Sequence, residues 1–333
     1  MKAIRVEQIG GPEVLKLEDI APIEEPGPGQ AIVRVVAAGV NFMDVGQRRG
    51  SYPREVPFTP GAEGAGVVES VGKGVANLKP SDRVAFTGLP GAYAEAIVAD
   101  ATRLIPLPDD FTFEQGAAFP LQGITAHYLI HEFRKPKAGD FVLVHAAAGG
   151  VGGLLVQWAR HLGATVIGTT STEEKARTAR EAGAEHVIIY ADEDFVAETK
   201  RITSGHGADL IIDGVGKSTF KGDLEAVAIR GHIVVFGASS GPIDPISPNA
   251  LTGRSISVSG GSLQNFIRTR EELMRRANDV IEGIRQRWLK LNIAAVLPLE
   301  KASEAHQLLE NRRTQGKLVL SVAATRQAAG LRG

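Results

Sequence analysis

The stretch VLVHAAAGGVG, residues Val142–Gly152, joins an apolar run, a turn of small residues and the start of a helical pattern. Ala147, Gly149 and Gly152 stand at the spacing of a G-x-G-x-x-G fingerprint, with alanine in place of the first glycine. A strand that turns tightly into a helix presents free N–H groups and the positive helix end to an anion such as pyrophosphate. The stretch therefore predicts a dinucleotide-binding loop formed by Ala147, Gly149, Gly150, Val151 and Gly152.

Short apolar segments alternate with helical patterns around and after this loop. The predicted strands are Phe141–His145, Thr165–Thr169, His186–Tyr190, Asp209–Asp213, His232–Phe236 and Ser255–Val258. The predicted helices between them are Gly152–Leu162, Glu173–Ala182, Phe195–Thr203 and Lys221–Ile229. Continuously apolar strands indicate a parallel sheet that is covered on both faces. Strands and helices in this alternation predict an α/β fold with a doubly wound parallel-sheet (Rossmann) domain.

The rest of the chain has a different pattern. β-Branched runs such as Ala31–Val36 and Gly66–Val71 are separated by glycine and proline, which predicts an antiparallel, barrel-like lobe near the N-terminus. After the parallel sheet, apolar periodicity predicts a helix over Ile267–Leu289 and strands at Ala294–Leu297 and Leu318–Val322. We expect these last strands to return to the first lobe.

This organisation predicts three stretches of chain. Residues 1–124 form a β-rich domain, residues 125–262 form the Rossmann dinucleotide-binding domain, and residues 263–333 form a C-terminal segment that returns to the β-rich domain. The last residues, Ala323–Gly333, have weak patterning and are expected to be mobile.

The composition excludes several classes of protein. The chain has no cysteine, so disulfides, thiolate nucleophiles, iron–sulfur clusters and cysteine-bound zinc are excluded. Lys and Arg number 37 against 38 Asp and Glu, and the net charge of −1 argues against nucleic acid as a partner. No segment approaches the ~20 apolar residues of a membrane-spanning helix, and Met1–Val6 lacks the apolar core of a secretion signal. We therefore expect a cytoplasmic protein with no membrane partner.

The end of the second predicted strand indicates which dinucleotide is bound. NAD-binding sites place an Asp or Glu there to accept from both ribose hydroxyls. This strand ends in Ile167–Thr172 without an acid, and Lys175 and Arg177 follow on the next helix. A small hydroxyl with cations behind it suits a 2′-phosphate and favours NADPH over NADH. The alternative is that both cations are solvated helix residues whose field is diluted by Glu173 and Glu174.

Motifs spread over nearly the whole chain are typical of one family. They are Ala38–Asp44, Leu121–Tyr128, Ala146–Gly152, Val234–Gly237 and Gly316–Leu320. On these motifs the chain resembles the zinc-independent quinone oxidoreductases of the medium-chain dehydrogenase/reductase superfamily, the group that includes zeta-crystallin. The resemblance implies a GroES-like β-rich catalytic domain beside the Rossmann domain, with NADPH as cofactor and a small-molecule quinone or enone as acceptor.

The resemblance also implies that no metal is held. Zinc-dependent relatives have Cys where this chain has Asn41, and His where it has Ala62. They also insert a four-cysteine lobe near Arg83–Ala92, which this chain lacks. Asp44 and Glu63 persist from the zinc-type pattern, and we expect them to make structural hydrogen bonds. His127 and His131 stand four apart without a carboxylate placed to join them, and we expect them to be structural too.

Matching positions imply roles for individual residues. Residues lining the nicotinamide and substrate cleft are Asn41, Tyr52, Thr125 and Tyr128. Contacts to the adenosine phosphate are Ser171, Lys175 and Tyr190, and further cofactor contacts are Phe236, Ser239 and Lys317. Without a metal, only hydrogen-bond donors remain to stabilise charge on the acceptor oxygen, and Asn41 and Tyr52 are candidates for that role. The alternatives are a turn residue for Asn41 and packing roles for Tyr52 and Tyr128.

The sequence leaves three functions open. The first is NADPH-dependent, metal-free reduction of quinones. The second is NADPH-dependent reduction of the C=C bond of enals, enones or acyl thioesters, because the same cleft serves both reactions. The third is a structural or RNA-binding protein of zeta-crystallin type that NADPH stabilises. The alternating run Ser255–Ser259 predicts an edge strand that pairs across the axis of a homodimer.

Overall fold

The computed structural model describes residues 1–311 and 314–322, so the predicted mobile segment Ala323–Gly333 lies outside the described residues. The strands are β1 (Lys2–Arg5), β2 (Lys16–Asp19), β3 (Gln30–Val40), β4 (Glu63–Val71), β5 (Arg83–Thr87), β6 (Ala96–Asp100), β7 (Leu104–Pro106), β8 (Phe141–Val144), β9 (Thr165–Thr170), β10 (His186–Ile189), β11 (Ala208–Asp213), β12 (Val227–Val235), β13 (Ser257–Gly260), β14 (Ile293–Pro298) and β15 (Lys317–Ser321). The α-helices are α1 (Phe42–Arg49), α2 (Phe113–Gly116), α3 (Pro120–His131), α4 (Gly150–His161), α5 (Glu173–Ala182), α6 (Phe195–Ile202), α7 (Phe220–Ala226), α8 (Asn249–Thr252), α9 (Arg270–Arg285) and α10 (Ala302–Glu310).

The chain forms two compact units. Within the described residues, the first unit comprises Met1–Leu121, Thr269–Met274 and the chain from Leu291 onwards. The second unit comprises Gln122–Arg268 and Arg275–Lys290. These units are defined by contacts within the fold, whereas the predicted domains are defined by function. The predicted domains at residues 1–124, 125–262 and 263–333 therefore stay a prediction.

The first unit is built around the long strand β3. Its larger sheet has the strand order β14-β15-β3-β4-β5-β7, and β6 also pairs with β3. Only β14 and β15 run parallel within this sheet as far as the chain is described. Two register shifts along β3, one of them between Val35 and Ala37, mark bulges that bend the strand between its partners. Val33, Val35 and Phe86 belong to the buried core of this unit.

The second unit contains a six-stranded sheet with the order β10-β9-β8-β11-β12-β13, and every pairing in it is parallel. The strand order reverses between β8 and β11, which is the switch point where ligands bind in doubly wound folds. Leu143, Ile167 and Ile211 lie in its buried core. The predicted α/β fold, a β-rich part plus a doubly wound parallel sheet, is confirmed.

Several elements differ in extent from the predicted ones. The predicted helix Lys221–Ile229 ends at Ala226, because residues 227–229 belong to β12, which begins before the predicted strand His232–Phe236. The predicted helix Ile267–Leu289 is shorter, because Thr269 Oγ1 accepts from Glu272 N (3.2 Å) and caps its start. Arg287 then adopts a left-handed φ of 65°, which stops the helix. β3 extends past the predicted end at Val36, because small buried residues continue the strand beyond the bulge.

Candidate active site

The predicted phosphate loop lies between β8 and α4, at the switch point of the sheet. Ala146 adopts φ 51°, and its carbonyl accepts from Gly149 N (2.8 Å), which closes the turn. Gly149 is the N-cap of α4 and brings no side chain to bond the first N–H groups of the helix. These N–H groups face the loop without a capping acceptor, so the loop has the form that binds a pyrophosphate.

Gly152 is required by the close approach of α4 to the loop. A Cβ at this position would lie 2.2 Å from the carbonyl oxygen of Ala146 and 3.0 Å from Ala147 Cα, both backbone atoms. Ala147 replaces the first glycine of the fingerprint, and a glycine on the neighbouring strand β9 makes room for its methyl group. A Cβ at Gly168 of β9 would lie 2.7 Å from the Ala147 methyl, so the missing side chain at Gly168 makes room for it. Gly150 packs against the side chain of Gln122.

The residues predicted to contact the adenosine phosphate share one edge of the sheet. Ser171 follows β9 directly and Tyr190 follows β10, and Tyr190 N donates to Thr170 O (3.0 Å). Lys175 lies half-buried in the first turn of α5, where its N–H donates to the Thr172 hydroxyl (3.3 Å). All three residues therefore lie at the carboxyl ends of β9 and β10.

Phe236 and Ser239 lie on the other side of the switch point, after β12. The Phe236 ring lies against Gly214, where an added Cβ would be 2.7 Å from Cζ. Ser239 N donates to Gly214 O (3.3 Å), which ties the two loops together. The glycine after β11 thus leaves space for an aromatic ring at the sheet edge, where the prediction places a cofactor contact.

Thr125 and Tyr128 lie on α3 within the second unit and are both buried. The Tyr128 ring stacks on Phe266, with centroids 4.3 Å apart and an interplanar angle of 7°. Burial raises the pKa of the Tyr128 hydroxyl above its ordinary range. This packing accounts for the burial of Tyr128, and its role in lining the cleft stays a prediction.

The first unit holds a buried polar group that we call the Lys317 cluster, made of Lys317, Glu63 and Asn41. Lys317 is only 2% exposed and Glu63 is fully buried. Lys317 Nζ donates to Asn41 Oδ1 (2.7 Å) and to Glu63 Oε2, and Asn41 Nδ2 donates to Glu63 Oε2 (3.0 Å). Glu63 Oε1 accepts from Leu121 N (2.6 Å) at the start of α3. A buried lysine is thereby paired with a carboxylate that has acceptor bonds at both oxygens.

This geometry changes the role expected for Asn41. Its side-chain N–H groups already have acceptors, Glu63 Oε2 at 3.0 Å and Gly39 O at 3.4 Å, and its carbonyl accepts from Lys317. An ammonium carries three N–H donors, and Asn41 and Glu63 use two of those of Lys317. Within residues 1–311 and 314–322, Lys317 is therefore the member of the cluster with a donor to spare, and Asn41 positions it. The sequence indicates Asn41 as one candidate donor and Lys317 as a cofactor contact, and no local pattern indicates that these two side chains meet.

Asp44 extends this polar group towards α10. Asp44 Oδ2 accepts from Asn41 N (2.9 Å) and from the Tyr93 hydroxyl (3.2 Å), and that hydroxyl also contacts His306 Nε2 (3.2 Å). Burial raises the pKa of Asp44 to about 7, opposed by the Asn41 N–H and the Lys317 charge. The expectation that Asp44 and Glu63 make structural hydrogen bonds agrees with these contacts, and Glu63 in addition has a charged partner.

Tyr52 differs from the other predicted residues of this unit because 52% of it is exposed. Its N–H donates to Gly46 O (3.2 Å), and its ring covers Gly46 in the middle of α1. A Cβ at Gly46 would lie 2.2 Å from Tyr52 Cδ2. A glycine inside a helix lowers helix stability by about 1 kcal/mol relative to alanine. Here the missing side chain leaves the space that the Tyr52 ring occupies.

Acid is expected to destabilise the protein through His306. Burial, together with the Arg48 charge, lowers the pKa of His306 from 6.5 to about 3. The folded state therefore holds the imidazole in its neutral form. The contribution of His306 to the free energy of unfolding is complete above pH 6.5 and is lost as the pH falls towards 3. At pH 5 the loss is about 2 kcal/mol in the free energy of unfolding, measurable by urea denaturation.

The matched variant for this effect is His306→Gln, whose side-chain amide keeps a donor for Tyr93 but does not titrate. Its free energy of unfolding should fall less than that of the wild type between pH 7 and pH 5, by about 2 kcal/mol. Asp44 titrates in both proteins and so cancels in the comparison. An equal fall in the two proteins would show that His306 does not carry the acid sensitivity.

The residues at the zinc-ligand positions do not fit a zinc ion. An amide (Asn41), a methyl (Ala62) and a neighbouring ammonium (Lys317) are not zinc donors. The part of the chain that the structure describes has no group of three or more His, Cys, Asp or Glu placed to hold a metal. His127 and His131 do have a carboxylate nearby, contrary to expectation, because His127 Nε2 bonds Asp279 Oδ2 of α9 (2.8 Å). That carboxylate lies 152 positions along the chain, where local pattern gives no signal.

Comparisons with known proteins agree with this geometry. The chain matches the family model described as an alcohol dehydrogenase GroES-like domain over residues 27–109 and the one described as a zinc-binding dehydrogenase over residues 150–279. It is 41% identical to a quinone oxidoreductase of Pseudomonas aeruginosa over 96% of this chain and 99% of that protein. It is 40% identical to a 2-haloacrylate reductase of a Burkholderia species over 93% of this chain and 96% of that protein.

Solved structures include a further similar protein. Escherichia coli quinone oxidoreductase in complex with NADPH superposes with a TM-score of 0.93 at 38% identity, over 97% of this chain and all of that one. Full-length similarity at this identity, together with both family-model matches, confirms the resemblance that the motifs indicated. The chain belongs to the zinc-independent quinone oxidoreductases of the medium-chain dehydrogenase/reductase superfamily.

Proposed function

We propose that this protein is a metal-free NADPH:quinone oxidoreductase. The observation that carries the proposal is the Lys317 cluster, which puts a buried ammonium beside Asn41 where the zinc-dependent relatives have a metal ligand. The phosphate loop, with its uncapped helix start and the close approach at Gly152, fits a dinucleotide. Relatives named quinone oxidoreductase, one of them solved with NADPH, support the same activity.

The cofactor preference follows from the edge formed by Ser171, Lys175 and Tyr190. β9 ends in Thr170 and Ser171 without a carboxylate to bind ribose hydroxyls. Glu173, which could dilute a positive field, is paired with Arg180 (2.6 Å). A hydroxyl and a lysine at the end of β9 suit a 2′-phosphate, so the proposal includes preference for NADPH over NADH.

The chain's own contribution to the reaction is electrostatic. When bound, NADPH supplies a hydride equivalent to the acceptor. Lys317 opposes the negative charge that develops on the acceptor oxygen, and Asn41 and Glu63 hold its ammonium in place. Conjugated acceptors spread this charge, so quinones need less stabilisation than unactivated ketones. Tyr52, exposed and supported by Gly46, offers an aromatic face for a planar acceptor.

Reduction of an activated C=C bond is the second candidate, and one observation favours it. A relative at 40% identity is named 2-haloacrylate reductase, so the same fold carries that chemistry in a similar protein. An ammonium beside the acceptor also suits the carbonyl or carboxylate oxygen of such a substrate.

A side-by-side assay tests the proposal. The purified protein should consume NADPH on addition of benzoquinone or a naphthoquinone, and EDTA should leave the rate unchanged. KM for NADH should exceed that for NADPH by about tenfold, because the 2′-phosphate contact is lost. Cyclohexenone and chloroacrylate report on the second candidate. A kcat/KM higher for these than for every quinone would favour C=C reduction, and activity lost with EDTA and restored by zinc would contradict both.

Assembly and location remain proposals. β13 pairs only with β12 among the described strands, so its free edge is available to a second copy in a homodimer. No helix in residues 1–311 or 314–322 combines the length and apolarity needed to cross a bilayer. We retain the cytoplasm as the proposed location.

A further inference from the structure

His145 is a buried residue directly before the phosphate loop, and neither the sequence motifs nor the proposed reaction gives it a role. The residue is 3% exposed, and its side chain makes two hydrogen bonds to different elements. Nδ1 lies 2.9 Å from Thr169 Oγ1 of β9, and Nε2 lies 2.7 Å from Asp223 Oδ1 of α7. The ring therefore connects the end of β8, where the loop begins, to a neighbouring strand and a helix.

Asp223 is an unusual partner because it is fully buried and only one of its two carboxylate oxygens has a hydrogen bond. Its Oδ2 has no hydrogen-bond partner within the described chain. Asp213, at the end of β11, is also fully buried, and accepts from Val215 N (2.6 Å) and from the Thr219 hydroxyl (2.9 Å). The imidazole also packs against the uncharged ring of Phe195 on α6, with ring centroids 5.1 Å apart. The buried group thus consists of one imidazole and two carboxylates.

The electrostatics of this group make it responsive near neutral pH. Burial lowers the pKa of His145, but Asp223 and then Asp213 outweigh it, so the pKa of His145 is raised above 6.5. Burial raises the pKa of Asp223 to about 6, opposed by His145 and supported by Asp213. With one proton on the His145–Asp223 pair, the pair is neutral. Without it, the pair adds a negative charge to that of Asp213.

The position of the pair couples it to whatever the loop binds. Ala146 follows His145 and holds φ 51°, and its carbonyl receives Gly149 N at the start of α4. A pyrophosphate bound at these N–H groups adds negative charge to the loop that begins directly after His145. Negative charge nearby favours the protonated form of the pair. By linkage, anion binding and proton uptake must then favour each other.

We propose that His145 and Asp223 form a positioning pair for the phosphate loop that takes up a proton when the cofactor binds. The identity of the ligand rests on the proposed function, but the proton uptake is a separate property of these two side chains. Affinity for NADPH then decreases as the pH rises, because the unprotonated pair repels the pyrophosphate.

Calorimetric titration with NADPH at pH 7.5, in buffers of different ionisation enthalpy, measures the uptake directly. The wild type should take up a fraction of a proton on binding, and its Kd should rise as the pH rises from 7 to 9, a range in which the phosphates of NADPH stay ionised. Asp223→Asn should greatly reduce both effects, because it removes the carboxylate that contributes most to holding a proton on His145 and leaves only the smaller effect of Asp213. Glu225→Gln, which removes an exposed carboxylate of the same helix, should retain both effects.

The outcomes separate this inference from the proposed function. Failure of the wild type to bind NADPH would reject the function. Binding with equal proton uptake in the wild type and Asp223→Asn would overturn the pair while leaving the function intact. If Asp223→Asn does not fold, nitrogen NMR of the His145 ring in the wild type decides. NADPH should increase its protonated fraction at pH 7.5, and an unchanged spectrum would overturn the inference.

Discussion

Replacing Lys317 by methionine is expected to lower kcat/KM for a quinone by at least about 100-fold. Removal of one preorganised donor to a developing oxyanion costs about 100- to 1,000-fold in rate, and the ammonium also contributes its full charge. Methionine keeps the length and apolar stem of lysine, so the change removes mainly the charge and its hydrogen bonds to Asn41 and Glu63. Steady-state kinetics with saturating NADPH measure the effect.

This variant also disturbs stability, which must be separated from catalysis. It leaves the carboxylate of Glu63 fully buried without its cation, a change that typically costs 3–5 kcal/mol. The double variant Lys317→Met/Glu63→Gln removes both charges and retains an acceptor for Leu121 N. We expect it to regain most of the free energy of unfolding and none of the activity.

Two results decide the role of Lys317. Lys317→Arg keeps the positive charge in a bulkier group and should retain more activity than Lys317→Met. A wild-type kcat in Lys317→Met/Glu63→Gln would contradict the electrostatic role of Lys317 and would show that the cluster has a structural role only. A drop in kcat with NADPH affinity unchanged would place the effect on the acceptor rather than on cofactor binding.

Much of the second unit could be predicted because its signals are local. The strand, small-residue turn and helix of Val142–Gly152 lie within a single stretch, and helix Glu173–Ala182 begins and ends where predicted. The chemistry of the loop also follows from residues close together in sequence. The glycine that makes room for the Ala147 methyl, Gly168 on the adjacent strand, is also only about twenty residues away in sequence.

The buried charges could not be predicted because their partners are distant in sequence. Lys317 and Glu63 are 254 positions apart, and His145 and Asp223 are 78 apart. Periodicity and spacing report on neighbours along a helix or strand, not on which strands meet. The available signal was chemical, since Glu63 and His145 are polar residues in otherwise apolar segments and a buried charge needs a partner. The sequence therefore indicates that Glu63 and His145 each need a polar or charged partner, but not which residue that partner is.

Replacing Gly152 by alanine is expected to raise the Kd for NADPH about 100-fold. The new Cβ would lie 2.2 Å from Ala146 O and 3.0 Å from Ala147 Cα, and neither backbone atom can rotate away. α4 must then move from the loop, at a cost of about 3 kcal/mol at the upper end of the range for overpacking. The N–H groups at its start would leave the position that binds the pyrophosphate. Fluorescence titration with NADPH measures the loss.

The adjacent residue provides the matched control, because Gly153→Ala makes the same chemical change one position along the same helix. A Cβ at Gly153 meets only Ala147 O at 3.7 Å, which is an ordinary contact. Alanine is also the better helix former by about 1 kcal/mol, so Gly153→Ala should raise Tm slightly and leave the Kd unchanged. If both variants bound NADPH like the wild type, contact between α4 and the loop would not set cofactor affinity. If both lost binding equally, helix flexibility rather than close approach would be the cause.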